Sequence, residues 1–159
     1  MFLHAGWWHL IGNMWFLWMF GRHVETEFGG GIFLCLYLIC GLGGQGFHYA
    51  FNSSSGIPLV GASGAISGIA GLYYVLFPIS RFDLDIYLGW WHIKTIETRT
   101  RGAVGAWIGE QTVLGVITSI SHVSSIAFWA HVGGFSAGAL LALVTRPWLD
   151  QKEDLLSYR

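Results

Sequence analysis

The chain has 159 residues, enough for one domain, and is 53% hydrophobic with only 11% charged residues. Soluble domains carry about a quarter charged residues. This composition, with 9 Trp, 11 Phe and 23 Gly, therefore excludes an ordinary soluble fold and fits a chain that uses lipid as its solvent. A formal net charge of −1 provides no basic field, which excludes nucleic acid as the expected partner.

Apolar stretches separated by breakers predict an all-α, polytopic transmembrane helical bundle. Five spans are expected at about 6–20, 30–51, 60–77, 103–120 and 126–145, forming one domain over 1–145 with a cytoplasmic tail over 146–159. The start, "MFLHAGWWHLIGN", has no Lys or Arg before Arg22 and so lacks the basic opening of a signal peptide. The first span carries His9 and Asn13, four residues apart and so on one helix face. The linker "GRHVETEFGG", with Glu25, leads to the second span. Its Cys35 and Cys40 are five apart and diverge on a helix, which argues against a disulfide.

The third span opens with "VGASGAISG", where Ser63 precedes Gly64, Gly68 and Gly71 at helical spacing. After it, "LDIYLGWWHI" over 84–93 is apolar but too short to span, and predicts an interfacial or re-entrant segment. The fourth span, "AVGAWIGEQTVLGVITSI", holds Glu110 and Gln111. A carboxylate at membrane depth faces protein or a water cavity, or it lies near the cytoplasmic end and snorkels; both readings stand for Glu110. The fifth span contains "AHVGGFSAGA", placing His131 one turn before Gly134 and Gly138. Small residues at this spacing let helix backbones approach closely.

With these spans, all eight Lys and Arg (Arg22, Arg81, Lys94, Arg99, Arg101, Arg146, Lys152 and Arg159) fall on one side. By the positive-inside rule that side is cytoplasmic. Met1 then starts on the outside, and a preceding span is expected.

Ser63, His131 and the His9/Asn13 pair each have a bland reading on their own. A membrane serine usually bonds its own helix, a lone histidine usually packs, and a membrane asparagine is often interhelical glue. Depth changes this, because counted from the outer ends of their spans all of them lie at similar depth toward the same face. A serine hydroxyl needs a neighbouring base to become a nucleophile, and His131 is the candidate base and later acid. The oxyanion of a tetrahedral intermediate needs hydrogen-bond donors. His9, Asn13 and the backbone around Gly61 and Ser63, at a helix N-terminus, are the candidates. No Asp or Glu in the apolar spans is placed to orient the histidine, so a Ser–His dyad is expected rather than a triad. The soluble nucleophile elbow needs G-x-S-x-G after a strand, and no strand precedes Ser63. A metal site built from His4, His9 and His131 is disfavoured, since there is no H-E-x-x-H pattern and no Cys–His cluster. No cofactor is called for.

These residues resemble the rhomboid intramembrane serine proteases, from "FLHAGWWHLIGNMWFLWMFG" through "GASGAISG" to "WAHVGGFSAG". The resemblance implies Ser63 as nucleophile, His131 as general base, and His9 and Asn13 at the oxyanion. It also implies Glu25 as a residue organising the cytoplasmic end of the bundle. The substrates would be single-span membrane proteins, cut at or near the outer membrane boundary. The family core has six spans, so a first span and a long outer loop are expected before Met1. Some members carry an aromatic at the position of Ser67 that packs on the histidine; here Tyr73 or a tryptophan is expected to substitute. The alternative is a catalytically impaired rhomboid-like protein that binds other transmembrane helices. Retention of Ser63, His131, His9 and Asn13 argues against it.

Overall fold

The computed structural model describes residues 1–53, 60–121 and 127–157, so most of the two expected outer loops, "NSSSGIP" and "SISHVSS", lies outside the described residues. In chain order the elements are α1 (Trp7–Phe28), α2 (Gly30–Phe51), α3 (Ser63–Leu76), β1 (Arg81–Leu88), β2 (Trp91–Arg99), α4 (Thr100–Ser121) and α5 (Phe128–Ser157). Each of the five apolar stretches is thus a helix. Among the described residues, α2, α4 and the Phe128–Leu149 part of α5 are long and apolar enough to cross a membrane. The 14 residues of α3 reach only about 21 Å, less than the roughly 30 Å of a hydrocarbon core. The last two turns of α1 carry Arg22, Glu25 and Glu27. Beyond 145 the chain does not leave the helix, and α5 continues through Pro147 to Ser157.

The segment 84–93 forms strand rather than helix. It belongs to an antiparallel hairpin whose register runs from Arg81↔Arg99 to Leu88↔Trp91. The signal was alternation: Arg81, Asp83 and Asp85 take every second position in β1, a period of two rather than 3.6. The two-residue connection starts at Gly89, whose φ of 59° is one that side chains disfavour. Arg81 pairs with Glu97 across the strands at 2.8 Å, and the Thr95 hydroxyl donates to Asp85 at 2.6 Å. That hydroxyl is the main cause holding the Asp85 carboxyl below its usual range. This hairpin is the one departure from an all-helical chain among the described residues.

The core is built around α3. Ala65, Ile66, Ile69, Ala70 and Leu72 are at most 2% exposed, and a helix apolar on all sides is one the bundle encloses. Glycine explains how tightly its neighbours close on it. A Cβ on Gly134 would overlap the Gly64 carbonyl, one on Gly138 the Gly68 carbonyl, and one on Gly71 the Phe135 carbonyl. The two helices therefore meet backbone to backbone, with each glycine occupying the place its partner needs. On the other side of α5, a Cβ on Gly44 would lie 2.6 Å from the Ala130 carbonyl oxygen. The outer surface is apolar in turn, with Trp7, Trp8, Trp15 and Trp18 on α1 and Leu140, Leu143 and Val144 on α5 exposed. A surface of that kind suits lipid and not water.

The ends of the bundle are chemically distinct. His23 of α1 meets Tyr73 of α3 edge-on at 5.3 Å, and Phe28 of α1 stacks on Trp148 of α5 at 6.2 Å. Arg101, opening α4, donates from Nε to the Tyr74 carbonyl at 3.0 Å. The C-terminal parts of α1, α3 and α5, the start of α4 and the root of the hairpin therefore share one end. Arg22, Arg81, Arg99, Arg101 and Arg146 all belong to it. Ser63, His131 and His9 sit in the first turns of α3, α5 and α1, at the opposite end.

Candidate active site

The site starts from the turn that feeds α3. Gly61 has a φ of 121°, and a Cβ there would lie 2.8 Å from His9 Cε1 and 3.0 Å from His9 Nε2. Glycine is thus required twice at this position, by the backbone angle and by the imidazole that fills the space of a side chain. On the sequence expectation that His9 serves an oxyanion, Gly61→Ala is expected to displace His9 and lower turnover at least tenfold, with a smaller loss of melting temperature, since removing one oxyanion donor costs about 100- to 1,000-fold. Paired activity and thermal-melting measurements check it; turnover within twofold of wild type would separate Gly61 from the site.

Ser63 is the first residue of α3, and the first intrahelical bond runs from the Ile66 N–H to the Ala62 carbonyl at 3.0 Å. The N–H groups of Ser63, Gly64 and Ala65 therefore have no partner within the helix and sit at its positive dipole end. Facing them is the first turn of α5. His131 Nε2 lies 2.8 Å from Ser63 Oγ, a contact between residues 68 positions apart that the Gly64–Gly134 approach one turn below makes possible. Ser67 donates to the Ser63 carbonyl at 2.6 Å.

His9 is half-buried. Its Nδ1 accepts the Ala5 N–H at 3.4 Å, which leaves the ring proton on Nε2, the atom turned toward Gly61. Asn13 is 7% exposed and its Nδ2 donates to the His9 carbonyl at 2.8 Å. An amide NH₂ has two protons, so this bond to its own helix leaves one.

One partner was missed in the sequence. His131 Nδ1 lies 2.7 Å from Gln111 Oε1, so the ring is held on both sides. A neutral amide occupies the place that an orienting acid would take in a triad. A signal was available in the spacing of Trp107, Gln111, Gly115 and Ser119, four residues apart on one face of α4. Trp107 lies 6.1 Å from the His131 ring. A Cβ on Gly115 would touch the Trp129 ring at 3.1 Å, and Ser119 Oγ accepts the Trp129 indole N–H at 2.8 Å. Glu110 is off that face and exposed. Because α4 starts at Thr100, Glu110 is about 15 Å along the helix from the end that carries Arg101.

The aromatic companion of His131 is Trp107. Tyr73, the other expected substitute, packs against Phe20 at 5.2 Å and His23 at the far end of α3. Gly64, Gly68, Gly134 and Gly138 all lie in the α3–α5 contact. Glu25 has an exposed side chain at the α1–α2 junction, where its backbone carbonyl accepts the Gly29 N–H at 2.7 Å.

A bundle of apolar helices with polar groups gathered at one end and cations at the other is a multi-pass integral membrane protein. The chain belongs to the rhomboid family, whose Rhomboid domain matches residues 1–148. It is similar to "Rhomboid protein 1, mitochondrial" of Saccharomyces cerevisiae, 28% identical over 87% of this chain and 38% of that protein. It is also similar to "RHOMBOID-like protein 4" of Arabidopsis thaliana, 32% identical over 94% of this chain and 35% of that protein. A third relative, "Rhomboid protease GluP" of Bacillus subtilis, is 33% identical over 89% of this chain and 25% of that protein. The chain thus spans about a quarter to two-fifths of the length of these relatives. No solved structure matches it significantly.

Proposed function

We propose that the chain is the catalytic part of an intramembrane serine endopeptidase that cuts membrane proteins within or near their transmembrane segment by a Ser63–His131 dyad. The observation that carries this reading is the 2.8 Å contact between Ser63 Oγ and His131 Nε2, joining the N-termini of two apolar helices. The protease name of the Bacillus relative supports it.

Ser63 Oγ attacks the scissile carbonyl carbon as its proton passes to His131 Nε2. The oxyanion that forms is met by the proton on His9 Nε2, the free proton of the Asn13 amide and the backbone N–H groups from Gly61 to Ser63, with the α3 dipole favouring the negative charge. His131 then gives its proton to the leaving amine. Water enters the same cycle to free the acyl group and restore the Ser63 hydroxyl. A helical peptide bond is shielded by its own hydrogen bonds, so substrates must unwind at the cut. Single-span membrane proteins with helix-destabilising residues near the cleavage point are the substrate class. The cation-bearing end, with the C-terminus, faces the cytoplasm and the site opens to the other side.

A fluorophosphonate probe tests the nucleophile directly. Labelling of the folded chain in detergent is expected to be lost on Ser63→Ala. A folded wild type that takes no label sinks the protease reading and favours the helix-binding alternative.

A further inference from the structure

The geometry points to Gln111 as the residue that sets the tautomer and orientation of His131, making α4 a working part of the site through its side-chain carbonyl. This inference rests on the Ser63–His131 reading above.

For His131 to accept the Ser63 proton, Nε2 must present its lone pair, and the single proton of the neutral ring must then reside on Nδ1. The free ring does not enforce that choice. Gln111 Oε1, 2.7 Å from Nδ1, is an acceptor and rewards it. With Oε1 toward the ring, the opposite tautomer would leave two lone pairs facing each other at that distance, and its Nε2 proton would be donated to Ser63 Oγ, leaving no lone pair there to take the hydroxyl proton. Gln111 is 8% exposed, so no water competes freely for the carbonyl, and a buried acceptor left unpaired is costly. When Ser63 gives up its proton, Nδ1–H keeps its partner and the imidazolium is stabilised by the amide dipole. The amide takes no proton itself, so the transfer ends at Nε2. Position is secured by the rest of the same helix face: Gly115 and Ser119 clasp Trp129, two residues before His131, and Trp107 covers the ring. A glutamine serving only as interhelical glue has no need to meet the one ring atom that decides the tautomer.

The test compares wild type, Gln111→Leu and Gln111→Glu as full chains, using cleavage of a transmembrane-segment substrate and the rate of fluorophosphonate labelling. Leucine removes the acceptor and keeps the bulk; glutamate keeps the acceptor. Gln111→Leu is expected to lower kcat and the labelling rate about 10- to 100-fold, the range found on removing a group that orients a metal-ligating histidine, with KM within about twofold because binding is untouched. Gln111→Glu is expected to recover most of the loss. A leucine variant with wild-type kcat overturns the proposal, and so does a loss that glutamate fails to recover while the melting temperature matches wild type. A folded wild type that neither cleaves nor labels overturns the protease reading itself, a result distinguishable from either of these.

Discussion

Ser63→Ala is expected to abolish cleavage, with a loss of about 10,000-fold or more, while the protein stays folded and membrane-inserted. The two halves of this outcome have separate physical grounds. The reaction needs an oxygen nucleophile in contact with a base, and no other hydroxyl among the described residues touches His131. The fold does not need that oxygen. Ser63 lies at the first position of α3, and its side chain makes no bond to the helix it opens, so alanine leaves the backbone pattern and the core from Ala65 onward intact. His131→Ala is expected to match it in activity and to cost more stability, because it leaves the buried Gln111 carbonyl without a partner. Substrate cleavage in reconstituted vesicles and thermal melting in detergent measure the two quantities. Cleavage by Ser63→Ala at a rate near wild type would remove the basis for the mechanism.

Gly134→Leu is expected to be the most damaging change that touches no reacting atom. Overpacking usually costs about 1–3 kcal/mol when side chains can move aside. Here the first added atom overlaps the Gly64 backbone carbonyl, which belongs to α3 and cannot rotate away. The helices must separate, and the contact that separates first is the one between Ser63 and His131, since Gly134 is one turn from His131 and Gly64 is next to Ser63. Stability and Ser63 labelling should therefore fall together. Gly109→Ala is the control: a Cβ there meets nothing within 4 Å, and alanine is the better helix former by up to about 1 kcal/mol, so melting is expected to hold or rise. Equal tolerance at Gly134 and Gly109 would mean that the glycine contact does not hold the two helices in register.

The candidate nucleophile and base are legible in the sequence because lipid removes ambiguity. In a membrane span a polar side chain is expensive, so Ser63, His131, His9 and Asn13 stand out against apolar neighbours, and counting from the outer ends of their spans puts them at similar depth. The hairpin is hidden in its apolar half, "LDIYLGWWHI", and shows only when the charged residues alternating before and after it are included. Helix bounds shifted for a related reason. Hydropathy reports where lipid would be comfortable, while backbone hydrogen bonds decide where a helix stops. That is why α1 runs to Phe28 and α5 to Ser157.

The sequence by itself determined the class of solvent, the five apolar helices, the gathering of Arg22, Arg81, Arg99, Arg101 and Arg146 toward one end and the identity of the four polar groups, since each follows from composition or from a local pattern. It could not determine which helix faces which. That choice belongs to the tertiary structure, where carbonyls of α3 fill the spaces left by glycines of α5, and it brought two further facts with it. Asn13 spends one of its protons on its own helix. The atom beyond His131 is the carbonyl oxygen of Gln111, set there by the rotation of α4 about its axis, which packing against Trp129 decides and local sequence does not.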